Sequence, residues 1–132
     1  MTLIDTSAWI EFFRPSGDPR VKALVRDLMV INKAAYTCPV AFELLTGARM
    51  EELDDLCTGL DLASRIVLRP EHWDLAGLSN AALRARGINL PASDLLIATV
   101  ANSEKLPLLA RDAHFDLIRK HSLPELEILA PR

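Results

Sequence analysis

Three acidic side chains stand alone in stretches that otherwise carry no charge. Asp5 is the only charged side chain in residues 1–10, Glu43 the only one in 34–48 ("AAYTCPVAFELLTGA"), and Asp94 the only one in 87–103, within "LPASDLLIATVANS". An unpaired buried carboxylate is costly, so each should be paired, protonated or bound to a cation. A fourth acid, Asp112, follows the apolar run "PLLA" one residue on, after Arg111. Four carboxylates gathered in one place would repel one another and raise their own pKa values, which no fold would do for stability. A hard divalent cation such as Mg²⁺ or Mn²⁺, which prefers oxygen ligands, resolves that conflict. Such a centre can activate water, and two ions can stabilise both the attacking and leaving oxygens of a phosphodiester. Each acid also has an ordinary alternative: Asp5 a turn or cap, Asp94 a partner of the helix dipole, Asp112 an N-cap. For Glu43, set among Ala, Val, Phe and Leu, the alternative is a buried salt bridge.

For these acids to meet, particular elements must carry them. "TLID" predicts a short strand ending at Asp5, before a Thr-Ser pair able to cap a helix. "SAWIEFF" then sets Ala8, Trp9, Phe12 and Phe13 on one helical face, until Pro15, Gly17 and Pro19 break the pattern. "PRVKALVRDLMVI" resumes it with a stripe of Val21, Leu24, Val25, Leu28 and Ile31. "AAYTC" predicts a strand, and a helix opened by Pro39 carries Glu43. Residues 50–62 predict an amphipathic helix, "SRIVLRP" a strand, and "EHWDLAGLSNAALRARG" a helix closed by Gly87. "PASDLLIATVANSEK" is a helix with Asp94 in its first turn; "LPLLA" a strand; "DAHFDLIRKH" a helix; "LEIL" a last strand. This alternation predicts a single α/β domain over residues 1–132 with a mainly parallel sheet. In such sheets sites form at the carboxyl ends of the strands. Asp5 and Asp112 would share that edge, with Glu43 and Asp94 delivered by helices.

The composition, half apolar and a quarter charged, suits a globular domain. No run of about 18 apolar residues is present, so no membrane partner is expected. The N-terminal stretch lacks a basic region and has an acid at position 5, so cytoplasmic residence is the expectation. Net charge is −3, but residues 50–64 alone hold five acids and no base, leaving 15 bases against 13 acids elsewhere. The acidity is local and does not exclude a nucleic-acid partner. The acidic stretch reads as a solvated helix face, with a basic partner as the alternative. Cys38 and Cys57 match no CxxC or zinc spacing and read as buried thiols.

In order along the chain, "LIDTSAWIEFF", "PVAFELLTGA", "LPASDLLIATVA" and "LPLLARDAHFDLI" resemble the PIN-domain family, specifically the VapC-type toxins of bacterial toxin–antitoxin pairs. The resemblance implies a three-layer α/β/α sandwich around a parallel sheet. It also implies a Mg²⁺- or Mn²⁺-dependent ribonuclease that cuts tRNA or rRNA until a VapB-type antitoxin blocks it, and a homodimer. Asp5, Glu43, Asp94 and Asp112 match the family's four acids, and Thr6 a polar residue beside the first. Asp5, Asp94 and Asp112 would then be metal ligands, and Glu43 a further ligand or the base that orients water. Ala110 stands where the family often has Thr. Asp116, one helical turn beyond Asp112, is an alternative fourth ligand.

Arg14, Arg20, Lys22, Arg26 and Arg111 are candidates for phosphate contact, against the alternative of solvated helix faces. His114 reads as a surface helix position rather than a general acid. The aromatic face of "AWIEFF" reads as core, with a partner surface as the alternative. Two other functions compete with the nuclease: a non-catalytic module of the same fold that binds RNA or protein, and a phosphatase-like enzyme using Asp5 as nucleophile. The latter usually wants a DxD pair, and residue 7 is Ser.

Overall fold

Strand β1 (Thr2–Ile4) is the centre of a five-stranded sheet in the computed structural model, which describes residues 1–129. Its neighbours are β2 (Ala34–Thr37) and β4 (Leu108–Leu109), with β3 (Ser64–Ile66) and β5 (Ile128–Leu129) at the edges, in the order β3-β2-β1-β4-β5. Every pairing is parallel, as the alternating pattern predicted. Leu3 pairs with both Ala35 and Leu108, so β1 is covered on both sides. That is why β1, β2 and β4 read as unbroken apolar runs: their side chains are buried on both faces of the sheet. Edge strand β3 is exposed at Ser64 and Arg65, and Arg65 Nε donates to the Tyr36 hydroxyl across the ladder at 3.3 Å.

Helices α1 (Thr6–Phe13) and α2 (Pro19–Val30) join β1 to β2; α3 (Cys38–Gly47), a 3₁₀ turn at Met50–Glu52 and α4 (Leu53–Asp61) join β2 to β3. The chain then crosses back through α5 (Pro70–Ala85) and α6 (Ala92–Ser103) to β4, and α7 (His114–His121) leads to β5. Successive crossovers move one way from β1 and the other way from β4. With the right-handed sense that parallel crossovers adopt, the connecting helices fall on opposite faces, giving three layers. The point where strand order reverses lies between β1 and β4, and there the carboxyl ends of neighbouring strands open a crevice.

The aromatic face of α1 is core. Trp9 is fully buried, stacked on Phe13 with ring centroids 5.7 Å apart and edge-on to Tyr36 at 6.5 Å. Truncating a side chain of that size typically costs about 3–5 kcal/mol. In α2, Val21 and Val25 are buried while Ile31, the C-cap, is 58% exposed, so the predicted stripe ends with the helix. Gly17 lies so close to α1 that a Cβ there would sit 1.8 Å from the Glu11 carbonyl oxygen, and no other residue fits this turn. Gly87 closes α5 with φ +76°, the left-handed conformation its position predicted. The cysteines depart from expectation. Cys57 is exposed and Cys38 only half-buried, because in α4 the buried face is taken by Leu56 and Leu60. Among the described residues no helix is long and apolar enough to cross a membrane.

Candidate metal centre

Asp5 stands one residue past β1, tied into the sheet by its N–H to the Leu109 carbonyl at 2.9 Å. The same residue caps α1: its Oδ2 accepts the Ser7 N–H at 3.0 Å and the Ser7 hydroxyl at 2.5 Å. Cap and site candidate therefore coincide in one carboxylate, which is only 4% exposed. Burial pushes its pKa up to about 6, against the lowering effect of the Ser7 bonds, and the nearby charge of Asp94 adds to the rise. Ser7 also accepts the Arg111 N–H at 2.9 Å, linking α1 to the segment after β4. Ala110, beside it, is buried and brings no hydroxyl of its own.

Asp94 is the third residue of α6, a helix whose N-cap, Pro91, provides no side-chain hydrogen bond. A buried acid there faces the positive end of the helix dipole. Asp112 follows β4 and its Oδ1 accepts the His114 N–H at 2.9 Å, which turns the chain into α7. His114 Nδ1 then lies 2.7 Å from Asp94 Oδ2 and 3.4 Å from Asp112 Oδ1. The three residues offer ligand atoms all within 4.8 Å of one another, the one such group of three among the described residues. Burial raises the Asp94 pKa first; the His114 hydrogen bond opposes this, and the charges of Asp112 and Glu43 reinforce it. That hydrogen bond in turn raises the pKa of His114.

Glu43, on α3, is half-buried, and its partner is not the salt bridge its surroundings suggested. Thr6 Oγ1 donates to Glu43 Oε1 at 2.8 Å, joining α1 to α3. Asp94 couples electrostatically to Asp5, Asp112 and Glu43, so the four acids lie near one another, while Asp5 and Glu43 lie outside the tight group of three.

The donor set fits a divalent cation. It is rich in carboxylate oxygen, and both buried aspartates carry pKa values raised by desolvation and by neighbouring carboxylate charge, a strain that a cation relieves. Asp116 is not brought in: its carboxylate is 62% exposed and pairs with Arg119 at 3.2 Å, because one turn along α7 points it outward. His114 corrects the reading of a mere surface position. The first helical residue after a site acid points back toward that acid, and the spacing Asp112-Ala113-His114 was the available signal. Ser7 was also missed; its neighbour Thr6 drew the attention.

The basic candidates are mostly engaged. Arg14 pairs with Glu11 at 2.6 Å, Arg20 and Arg111 both pair with Asp18, and Lys22 donates to the Phe12 carbonyl at 2.7 Å. Arg26 is exposed on α2. The two arginines hold the Asp18 carboxyl well below the usual carboxylate range. From Glu43 a groove of about 460 Å³ runs between the ends of α1 and α3, lined by Ile10, Phe13, Arg14, Leu44 and Arg49 among others.

Residues 2–121 match the PIN domain family. The chain is 34% identical over 128 residues to the VapC ribonuclease Mb1587 of Mycobacterium bovis and, to the same degree, to ribonuclease VapC11 of Mycobacterium tuberculosis. These alignments cover 91% of this chain and 92% of those proteins. Its fold is similar to the DNA-bound VapBC complex of Salmonella typhimurium, with a TM-score of 0.80 at 15% identity over 98% of both chains. It is similar also to the DNA-bound VapBC2 of Rickettsia felis, with a TM-score of 0.79 at 20% identity, covering 99% of this chain and 98% of that one.

Proposed function

Because the chain belongs to the PIN-domain family, we propose that it is a divalent-metal-dependent endoribonuclease acting as the toxin of a toxin–antitoxin pair. The observation that carries this reading is the close group of Asp94, Asp112 and His114, with Asp5 and Glu43 near enough to couple electrostatically to Asp94. A non-catalytic binding module would have no use for four carboxylates held against their own repulsion. Mg²⁺ or Mn²⁺ is the proposed cofactor, and tRNA or rRNA the substrate class. The similarity to VapC ribonucleases supports ribonuclease activity, and the VapBC complexes among the structural neighbours support a VapB-type antitoxin as partner. A homodimer and cytoplasmic residence complete the proposal.

In this reading Asp5, Asp94 and Asp112 hold the cation. When bound, it supplies Lewis-acid polarisation of the phosphodiester and makes water a competent nucleophile near neutral pH. Glu43 takes the water's proton: Oε1 is occupied by the Thr6 hydroxyl, and Oε2 accepts no hydrogen bond from the described residues. Ser7 holds the Asp5 carboxylate in one orientation through paired donors. Arg14 and Arg111 receive substrate phosphate by exchanging Glu11 and Asp18 for it. The groove beginning at Glu43, apolar with two arginines, takes a segment of the antitoxin.

The test is cleavage of structured RNA by purified, antitoxin-free protein in Mg²⁺, Mn²⁺ or EDTA, beside a folded Asp94→Asn variant. Cutting that needs the cation and disappears in the variant is the expected result. Equal cutting by both proteins would place the activity elsewhere, and absence of cutting across tRNA and rRNA with both proteins folded would favour the binding module.

A further inference from the structure

Among the described residues, His114 is the histidine that groups with Asp94 and Asp112, and the four-carboxylate reading gives it no role. The other histidine with a defined environment, His72, is fully buried away from the cluster. Its Nδ1 accepts the Arg69 N–H at 2.9 Å and its Nε2 meets Glu104 at 3.1 Å, so both ring nitrogens serve the packing of α5. His114 differs in each respect. Its side chain is 41% exposed, and its Nδ1 faces two carboxylate oxygens, at 2.7 Å on Asp94 and 3.4 Å on Asp112. Its backbone is fixed by the N–H bond to Asp112, so this placement does not depend on the side chain.

We infer that His114 contributes Nδ1 to the cation held by Asp94 and Asp112, so that the centre prefers a transition-metal ion of the Mn²⁺ class over Mg²⁺. The inference rests on the metal-centre reading above and changes its cofactor. Mg²⁺ takes oxygen ligands and keeps its waters, so an imidazole adds little to its binding. First-row transition ions accept imidazole, with affinity rising from Mn²⁺ along the series. Without an ion, Nδ1 and Asp94 Oδ2 share a hydrogen bond at 2.7 Å, and the imidazole serves as that carboxylate's partner. Ligation needs the Nδ1 lone pair, so the ring proton moves to Nε2 and Asp94 turns the freed oxygen to the same ion. An exposed ring on the first residue of a helix has the freedom to make that change.

The experiment is pulsed EPR on the full-length protein loaded with Mn²⁺, combined with calorimetric titration of Mn²⁺ and Mg²⁺ into wild type and His114→Ala. Wild type is expected to show the coupling of a directly coordinated imidazole nitrogen, and the variant to lose it. Mn²⁺ affinity should fall by about tenfold or more in the variant, in line with the effect of removing residues around metal centres, while Mg²⁺ affinity changes by less than about twofold. The wild-type spectrum needs no variant, so misfolding of His114→Ala would not blunt the test. Mn²⁺ bound without nitrogen coupling, or equal losses for both ions, would overturn the assignment. RNA cleavage without nitrogen coupling would sink this inference and leave the nuclease reading standing. Nitrogen coupling in a protein that cuts no RNA would do the reverse.

Discussion

The Thr6 hydroxyl and the Glu43 carboxylate meet at 2.8 Å across 37 residues of sequence, the one side-chain hydrogen bond that ties α1 to α3 at the acid crevice. It orients the acid assigned to the attacking water and leaves that acid one open oxygen. A hydrogen bond to a charged group contributes about 1.5–3 kcal/mol, so Thr6→Val is expected to lower kcat by roughly ten- to a hundredfold. Thr6→Ser, which keeps the hydroxyl, should retain most of the activity. Single-turnover cleavage rates of the two variants check this; equal losses in both would assign the effect to packing of the Thr6 methyl.

The buried Asp5 carboxyl makes stability depend on pH. Its folded pKa of about 6 lies above the ordinary aspartate value of 3.8. The folded state therefore binds its proton more tightly than the unfolded chain does. The associated stability is fully present below about pH 4 and is lost as pH rises through about 6, a change of about 3 kcal/mol from this group alone. Asp94, raised for the same primary reason, acts in the same direction. Urea denaturation of metal-free protein should thus give a higher midpoint at pH 5 than at pH 7. Asp5→Asn should flatten that slope, and added Mn²⁺ should raise Tm more at pH 7 than at pH 5. A midpoint that rises between pH 5 and 7 would contradict the assignment.

Solitary charges in apolar windows were enough to single out Asp5, Glu43 and Asp94 as candidates, because a lone acid amid buried residues needs a reason that its own segment does not supply. The parallel sheet was legible in the same runs, since a strand buried on both faces has to be uniformly apolar, and Leu3, Ile4, Leu108 and Leu109 are. What remained hidden were relations between segments. Ser7 becomes significant only when the Arg111 N–H arrives from 104 residues away. His114 sits in a polar helix start like many others, and only the docking of α6 brings Asp94 to its ring. The basic residues were legible as types, but their pairing with Glu11 and Asp18 depends on how the α1–α2 turn folds.

That turn rests on Gly17. A Cβ at this position would lie 1.8 Å from the Glu11 carbonyl oxygen and 3.1 Å from that of Arg14, both backbone atoms that cannot swing aside. Gly17→Ala is expected to displace the turn and destabilise the protein by about 1–3 kcal/mol, the usual penalty for overpacking. Asp18 would move with it and release Arg111, its partner at 2.7 Å. A loss of Tm together with tighter RNA binding, as Asp18 no longer competes with phosphate for Arg111, is the expected pair of results. Unchanged RNA affinity in a destabilised variant would show that the turn does not position the arginine.

Asp112 and Asp116 lie one helical turn apart, and only one of them faces the crevice. Asp112 accepts the His114 N–H, approaches its ring at 3.4 Å, and contributes charge that raises the pKa of Asp94. Asp116 is largely exposed and paired with Arg119, three residues along α7. Exposed pairs of this kind contribute little, about 0.3–0.5 kcal/mol. Asp116→Asn should therefore leave cleavage rate and Mn²⁺ affinity within about twofold of wild type. Asp112→Asn keeps an oxygen for the His114 N–H but removes a charge from the cation's surroundings, so it should fold and lose Mn²⁺ affinity by at least about tenfold. Calorimetry on both variants decides between them: a larger loss in Asp116→Asn would move the fourth ligand one turn along the helix and require α7 to rotate when the cation binds.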